Sequence, residues 1–299
     1  MIHPGLAWLE GSPEGRAWLE RLPRLRDECA EAWSLELGDP FAYAFASLSI
    51  PATRADGTDV VLKLQFPDRE SEHEASALRA WDGNGAVRLL ERDPKRHALL
   101  LERCLPGTSL AEVEPEAALD VAVGLFPRLW IPAGDGFRSL ADEAAWWASY
   151  LPERWRMAGE PFERELLDAA LDAIRELSAS QPEQVLVHQD LHADNILRAE
   201  RDPWLMIDPK PLVGERAFGV APLVRGSELG HSREAVIYRL DRLSGALGLD
   251  RERARGWTIA QTLAWGLDED GAAPENVEVA RWLFEGTSPT RPRPFRRVR

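Results

Sequence analysis

The sequence predicts an α+β protein with two lobes, a small antiparallel sheet that carries one helix and a larger, mainly helical lobe. The chain has 299 residues, near the length at which a single hydrophobic core gives way to two. Short apolar runs separated by turn signals dominate residues 41–102, whereas long Ala-, Leu- and Glu-rich segments follow Pro106-Gly107. We therefore place the lobe boundary after residue 104, which gives lobes of residues 1–104 and 105–299.

The composition restricts the partners of the chain. Hydrophobic residues make up 44% of it and charged residues 29%, which excludes a mostly disordered protein. The formal net charge of -14 opposes binding to nucleic acid, because such binding depends on clustered Lys and Arg. The same field favours a small cationic molecule as partner.

The cellular location follows from three weak signals. Pro4, Glu10 and Glu14 stand where an export signal needs basic residues and then an apolar run. No stretch reaches the roughly 18 consecutive apolar residues of a membrane-spanning helix. Cys29 and Cys104 are the only cysteines, too few for a disulfide framework. We expect a cytoplasmic protein that binds no membrane, and the sequence is silent on its oligomeric state.

The N-terminal lobe begins with an amphipathic helix at residues 14–33. Its apolar positions recur at steps of three or four, and they are Trp18, Leu22, Leu25, Cys29 and Trp33. Pro23 is expected to interrupt or bend this helix, because proline lacks the amide hydrogen that the helix needs.

A small sheet and one helix complete this lobe. Four apolar runs form two predicted hairpins, 41–50 with 59–66 and 87–91 with 97–102. Between the hairpins, residues 69–81 have helical spacing that places Glu74 and Trp81 on one face. The sheet therefore carries a helix inserted after its second or third strand.

The second lobe is predicted to be mostly helical. Helical segments span roughly residues 116–130, 140–150 and 161–179, and helices resume from Arg233. Short apolar runs at 184–188 and 196–198 flank one loop, and a third run at 204–207 precedes another. The basic, Pro-containing residues 291–299 are expected to fray.

The loop after residue 188 carries the strongest chemical signal. Asp190 and Asn195 have the His-x-Asp-x4-Asn spacing of a kinase catalytic loop, and Asp208 ends the apolar run 204–207. In that arrangement Asp190 is the catalytic base, while Asn195 and Asp208 are magnesium (Mg2+) ligands. Asp and Asn also shape ordinary turns, but the flanking apolar strands and the strand-terminal Asp208 favour the functional interpretation.

A zinc site is the rival interpretation of the same loop. His188, Asp190 and His192 alternate and could be ligands of a hydrolytic zinc ion. Such a site needs further ligands, and the remaining histidines, His3, His73, His97 and His231, lack a paired spacing.

Lys63 is the candidate residue for binding the nucleotide phosphates. It lies inside the apolar run Val60 to Gln65, where a charge is costly unless a partner or a phosphate satisfies it. Glu74 on the following helix is the expected ion-pair partner, with Glu70 and Glu72 as competitors. The alternative is a lysine that extends outward from an edge strand.

The chain resembles the aminoglycoside and hydroxyurea phosphotransferase family, and within it the streptomycin 6-kinases. The similarity runs across almost the whole chain and includes residues 51–58, Leu99 to Arg103 and His188 to Leu197. Its most specific part is the Asp-Pro-Lys-Pro sequence at residues 208–211, because most kinases have Phe-Gly or a similar pair after that Asp.

The resemblance implies a two-lobed protein-kinase-like fold, ATP or GTP as phosphoryl donor, and magnesium. It also implies a small acceptor that bears a hydroxyl group, such as an aminocyclitol antibiotic. By position, Leu101 to Cys104 correspond to the hinge whose backbone binds the purine, which makes Glu102, Arg103 and Cys104 candidate nucleotide contacts.

The chain departs from the family pattern at three places. Residues 38–47, which should cover the phosphates, are not rich in glycine. Gln189 and Asp194 replace the usual glycines of the catalytic loop, and Gly219 stands where relatives usually have an Asp that braces this loop. These departures leave open an alternative, a catalytically impaired pseudokinase that serves as a nucleotide-binding or interaction module.

Overall fold

Three antiparallel sheets and ten α-helices account for most of the residues that this computed structural model describes, which are 3–268 and 270–286. The strands are β1 Leu35–Leu37, β2 Ser47–Arg54, β3 Asp59–Gln65, β4 Leu89–Asp93, β5 Ala98–Glu102, β6 Val185–His188, β7 Ile196–Arg198, β8 Trp204–Met206 and β9 Pro211–Gly214. The helices are α1 Pro13–Trp33, α2 Glu74–Trp81, α3 Pro115–Leu129, α4 Leu140–Met157, α5 Arg164–Ser178, α6 Arg216–Gly219, α7 Ala221–Arg225, α8 Arg233–Leu247, α9 Arg251–Gly266 and α10 Pro274–Glu285. The tail at 291–299, predicted to fray, lies outside the described residues.

The first sheet has five strands in the order β1-β2-β3-β5-β4, all antiparallel. In its register Lys63 of β3 lies between Ser49 and Leu99. Because side chains alternate between the two faces of a sheet, Leu62 and Leu64 point to the face opposite Lys63. The sheet contains the four predicted strands and one that was not predicted, the three-residue β1.

The N-terminal helices cover the face of the sheet opposite Lys63. A 3-10 helix at Pro4–Gly11 and helix α1 bury Leu6, Leu9, Trp18 and Leu22 against apolar side chains of β2 and β3. The predicted interruption at Pro23 does not occur, since α1 continues through this residue, which lies on its exposed side. This packing leaves the other face free to carry the polar groups of a site.

Helix α2 begins at Glu74, five residues later than the sequence suggests. The cause is Asp68, whose carboxylate accepts hydrogen bonds from the backbone amides of Glu70 at 2.9 Å and Ser71 at 2.7 Å. A side chain that binds nearby amides in this way holds the backbone in a turn instead of a helix. Glu70 therefore lies in a turn, whereas Glu74 lies in the first turn of α2.

Helix α9 lies at the centre of the helical part. Ten of its 16 residues are buried, and it packs against α5, α6, α7, α8 and α10. Edge-to-face contact between Phe218 and Trp257, with ring centroids 5.6 Å apart, ties α6 to α9. Two small sheets, β6 with β9 and β7 with β8, lie beside these helices and hold the loop around Asp190.

Other boundaries also differ from those predicted: β2 spans Ser47–Arg54 instead of residues 41–50, and the short helices α6 and α7 precede the predicted restart at Arg233. Helix α4 continues to Met157, and α5 begins at Arg164 instead of residue 161. The lobe boundary after residue 104 stays a prediction; it falls directly behind β5. Within the described ranges, no helix combines the length and apolar character needed to span a lipid bilayer.

Candidate active site

The loop between β6 and β7 is organised by a buried histidine. The Nδ1 atom of His188 accepts a hydrogen bond from the backbone amide of Asp190 at 2.9 Å, so Nε2 carries the proton that binds the carbonyl oxygen of Ile207 at 3.3 Å. Burial lowers the pKa of His188 to about 4 even though Asp190 and Asp208 oppose this shift. His188 is thus a neutral support with both ring nitrogens in use, which leaves it no nitrogen for the zinc ion of the rival interpretation.

Backbone contacts bring Asp190, Asn195 and Asp208 together. The Asn195 carboxamide donates to the carbonyl oxygen of Asp190 at 2.8 Å, and the carbonyl oxygen of Asn195 accepts from the amide of Ile207 at 2.9 Å. Asp208 follows with a φ of 50°, an uncommon value for a residue with a side chain. The turn at this residue joins β8 to the Pro209-Lys210 segment.

Lys63 links the sheet to Asp208. Its ammonium group lies 2.7 and 2.6 Å from the two carboxylate oxygens of Glu74 and also contacts Asp208 Oδ1. Gln65 donates a further hydrogen bond to Glu74 at 2.7 Å. Lys63 is 4% exposed, so it does not extend outward from the sheet, and its partner is Glu74 and not Glu70 or Glu72.

The charges of this group shift one another's pKa values. Burial acts to lower the pKa of Lys63, but Asp208 and Glu74 outweigh it and raise the pKa. Burial raises the pKa of Glu74 to about 7 despite the nearby Lys63. Burial also acts to raise the pKa of Asp208, yet Lys63 and Lys210 hold it well below its usual value. Asp208 is therefore a permanent carboxylate.

The sequence did not identify three residues that surround Asp190. Lys210 Nζ lies 2.6 Å from Asp190 Oδ2, and Arg225 Nη2 lies 3.4 Å from Oδ1. Both cations lie over the ring of Trp265, at 5.5 and 4.9 Å from its centroid. A signal for Lys210 was present, since it is one of three lysines and belongs to the Asp-Pro-Lys-Pro sequence.

The hinge residues use their side chains for structural contacts. Glu102 accepts hydrogen bonds from Arg201 at 2.7 Å and from the amide of Arg88 at 2.9 Å, and Arg103 pairs with Asp59 at 3.2 Å. Cys104 is buried. The backbones of Arg103 and Cys104 make no hydrogen bond to another backbone group of the described residues, which leaves them available to a ligand.

Two of the three departures from the family pattern have structural compensations. A Cβ atom on Gly219 would lie 2.8 Å from Trp130 Nε1, so a side chain does not fit there. Instead, Gln261 of α9 donates a hydrogen bond to the carbonyl oxygen of Gln189 at 2.6 Å and supports the loop. Asp194 accepts from the Ser109 hydroxyl at 2.7 Å.

The third departure, residues 38–47, is stabilised by the N-terminal segment. Trp8 Nε1 donates to the carbonyl oxygen of Phe45 at 2.8 Å, and the two rings stack with centroids 5.2 Å apart. His3 Nε2 lies 3.0 Å from the carbonyl oxygen of Phe41. Contacts with the N-terminal segment thus hold this loop, whose one glycine is Gly38.

Asn195 and Asp208 have the donor atoms that a divalent metal ion needs. Asn195 uses its amide nitrogen to bind Asp190, which leaves Oδ1 as a free acceptor. Lys63 contacts only the Oδ1 atom of Asp208, and 41% of the Asp208 side chain is exposed. Oxygen ligands of this kind suit magnesium, which retains several water ligands in such sites.

Comparisons with known proteins identify the family of this chain. A sequence model described as aminoglycoside/hydroxyurea antibiotic resistance kinase matches residues 33–271. The chain is 42% identical over 278 residues to the hydroxyurea phosphotransferase of Kitasatospora aureofaciens, covering 90% of this chain and 80% of that protein. It is 40% identical over 282 residues to the streptomycin 6-kinase of Streptomyces glaucescens, covering 90% and 92%.

Solved structures confirm the predicted fold class. The choline kinase of Streptococcus pneumoniae superposes with a TM-score of 0.58 at 12% identity, covering 90% of this chain and 92% of that one. The α+β fold is therefore the two-lobed, protein-kinase-like fold. Since the family match includes β2, the hinge, the loop around Asp190 and α9, this chain belongs to the aminoglycoside/hydroxyurea antibiotic resistance kinase family.

Proposed function

We propose that this chain transfers the terminal phosphoryl group of ATP or GTP to a hydroxyl group of a small molecule. Streptomycin or another aminocyclitol is the first class of acceptor, and hydroxyurea is the second. Curated relatives at 42% and 40% identity carry the names hydroxyurea phosphotransferase and streptomycin 6-kinase, which supports both classes. The cytoplasmic location stays a prediction.

The observation that carries the proposal is the ion pair between Lys63 and Asp208. It joins the β3 lysine, held by Glu74, to the carboxylate that follows β8. In a kinase these two residues meet the same triphosphate, because the lysine binds its phosphates and the carboxylate holds the metal ion.

Each residue then has one part in the transfer. Asp190 accepts the proton of the acceptor hydroxyl while the acceptor oxygen forms its bond to the γ-phosphorus. Asn195 and Asp208 would hold magnesium, which would neutralise charge on the phosphates when bound. Lys63 holds the nucleotide, and the backbone at Glu102, Arg103 and Cys104 binds the purine. The bond between the γ-phosphorus and the bridging oxygen breaks, and its electrons leave with the nucleoside diphosphate.

The test is nucleotide turnover with a panel of streptomycin, other aminocyclitols and hydroxyurea. Asp190→Asn is expected to lower kcat by roughly a hundredfold or more, the effect of removing a general base, while magnesium-dependent nucleotide binding persists in calorimetry. Asp172→Asn, on the exposed face of α5, is the matched control. Equal turnover by the wild type and Asp190→Asn would overturn the assignment, and nucleotide binding without turnover on any acceptor would favour the pseudokinase.

A further inference from the structure

We propose that Lys210 is a second catalytic residue, whose ammonium group binds the phosphoryl group during transfer at the side of Asp190. The inference rests on the proposed kinase activity and adds a residue to it. It starts from the contact between Lys210 Nζ and Asp190 Oδ2 at 2.6 Å.

The position of Lys210 follows from the position of Asp190. An acceptor hydroxyl that donates to the Asp190 carboxylate has its oxygen roughly 2.7 Å from that carboxylate. The same carboxylate lies 2.6 Å from Lys210 Nζ, so the attacking oxygen comes within roughly 5 Å of the ammonium group. The phosphoryl group is in contact with that oxygen when it transfers. A small rotation of the lysine side chain brings its ammonium group to the phosphoryl oxygens.

Among the residues that the structure describes, no other cation at the site is equally free to act. Lys63 is committed to Glu74 on two oxygens and to Asp208. Arg225 reaches Asp190 only at 3.4 Å, and its guanidinium carbon lies 4.9 Å from the centroid of the Trp265 ring. Lys210 has one close partner, Asp190, and a longer contact of 3.4 Å to Glu70 Oε2.

The surroundings hold the lysine stem and leave its head group able to turn. The side chain is 17% exposed, and its ammonium group lies over the Trp265 ring, which attracts a cation without binding it in one direction. An ammonium group has three donors. It can therefore keep its hydrogen bond to Asp190 and donate to phosphoryl oxygens at the same time.

The chemical benefit lies in the charge of the transition state. As the bond to the leaving oxygen breaks, charge spreads over the three equatorial oxygens of the phosphoryl group. A positioned cation stabilises this charge more than that of the bound substrate, which raises kcat. Lys210 takes up no proton from the acceptor, since that proton goes to Asp190.

The first test separates turnover from binding. Lys210→Met is expected to lower kcat by about a hundredfold or more, with the nucleotide KM within about threefold of wild type because Lys63 and the hinge remain. Lys95→Met is the matched control, since Lys95 is exposed in the turn between β4 and β5. Wild-type kcat in Lys210→Met would overturn the proposal.

Chemical rescue provides the second test. Lys210→Cys alkylated with 2-bromoethylamine regains an ammonium group at nearly the original length, and kcat should rise at least tenfold. The same variant alkylated with iodoacetamide gains a neutral group and should stay inactive. Both native cysteines, Cys29 and Cys104, are buried, which directs the reagent to position 210. Equal rescue by the two reagents would show a role in packing and not in charge.

Nucleotide hydrolysis needs no particular acceptor, so it tests the role of Lys210 separately from the proposed acceptors. Nucleotide hydrolysis with water as acceptor should also fall in Lys210→Met. If the wild type hydrolyses nucleotide but phosphorylates nothing in the panel, the proposed acceptors fail while Lys210 is still tested. If neither reaction occurs in the wild type, both proposals are overturned.

Discussion

Gln261 supports the catalytic loop of this chain from the helix behind it. Its amide nitrogen lies 2.6 Å from the carbonyl oxygen of Gln189, the residue before Asp190, and both residues are fully buried. Residues at steps of four lie on one face of a helix. Three such residues of α9, Trp257, Gln261 and Trp265, contact the site or the segments next to it. Trp257 donates to Glu215 at 2.6 Å, Gln261 supports the loop, and Trp265 lies beneath Lys210 and Arg225.

Gln261→Leu removes this support. The buried carbonyl of Gln189 then lacks its donor, and we expect the free energy of unfolding to fall by about 1–3 kcal/mol and kcat to fall about tenfold. Urea unfolding and steady-state kinetics measure the two effects. Gln184→Leu, at an exposed position, should change neither quantity. Unchanged kcat in Gln261→Leu would show that the loop holds Asp190 without this helix.

Glu74→Gln tests the partner of Lys63. Loss of the carboxylate leaves the ammonium group with Asp208 alone, so Lys63 should be less well placed for the phosphates. We expect the nucleotide KM to rise about tenfold, an effect near 1.4 kcal/mol. Glu72→Gln, whose side chain is 65% exposed, is the control in the same segment. An equal KM for both variants would contradict the assignment.

His188 should make the stability depend on pH. Its pKa in the folded protein is about 4, below the ordinary value of 6.5, so below pH 6.5 the unfolded chain takes up a proton at His188 that the folded chain refuses. The contribution is complete above pH 6.5 and is lost as the pH falls towards 4, by up to about 3 kcal/mol.

Two variants isolate this contribution from those of other groups. His188→Asn keeps an acceptor for the Asp190 amide but does not titrate, so urea unfolding between pH 7.5 and 4.5 should give a shallower slope than wild type. His97→Asn, at an exposed position with a φ of 49° that Asn tolerates, should keep the wild-type slope. The same slope in all three proteins would disprove the role of His188.

Trp8→Ala should weaken nucleotide binding indirectly, through the loop of residues 38–47. The substitution removes the ring stacking on Phe45 and the hydrogen bond to its carbonyl oxygen, so residues 38–47 lose one of their contacts with the N-terminal segment. We expect a rise of about threefold to tenfold in the nucleotide KM with an unchanged acceptor KM, measured in steady-state assays. Met157→Ala, an exposed apolar residue at the end of α4, is the control. A rise in the acceptor KM instead would assign Trp8 to the other substrate.

The sequence predicted those parts of the site that depend on neighbours along the chain. Asp190 and Asn195 share one loop, and Asp208 ends a strand, so their spacing and the flanking apolar runs predicted them as candidates. Lys210, Arg225 and Trp265 were missed because tertiary packing brings them to Asp190 from 20, 35 and 75 positions away. Only the step of four along α9 could have indicated Trp265.

Secondary structure was missed where a single side chain overrides a pattern. Asp68 binds the amides that would otherwise begin α2, and no helical periodicity reports such a contact. Strand β1 has three residues, too few to show an alternation. Pro23 was expected to interrupt or bend α1, and the helix continues through it because the carbonyl that lacks a hydrogen-bond donor lies on the exposed side, where water can reach it.

The ion pair between Lys63 and Asp208 connects two parts of the molecule, since Lys63 belongs to the five-stranded sheet and Asp208 follows β8 beside the helices. A metal ion bound at Asp208 would compete with the ammonium group for the same carboxylate, and a bound triphosphate would offer Lys63 another anion. Nucleotide and metal together would then replace the direct contact between these two residues. By thermodynamic linkage, mutations that weaken this ion pair should strengthen metal binding and weaken the connection between the sheet and the helices in the enzyme without nucleotide.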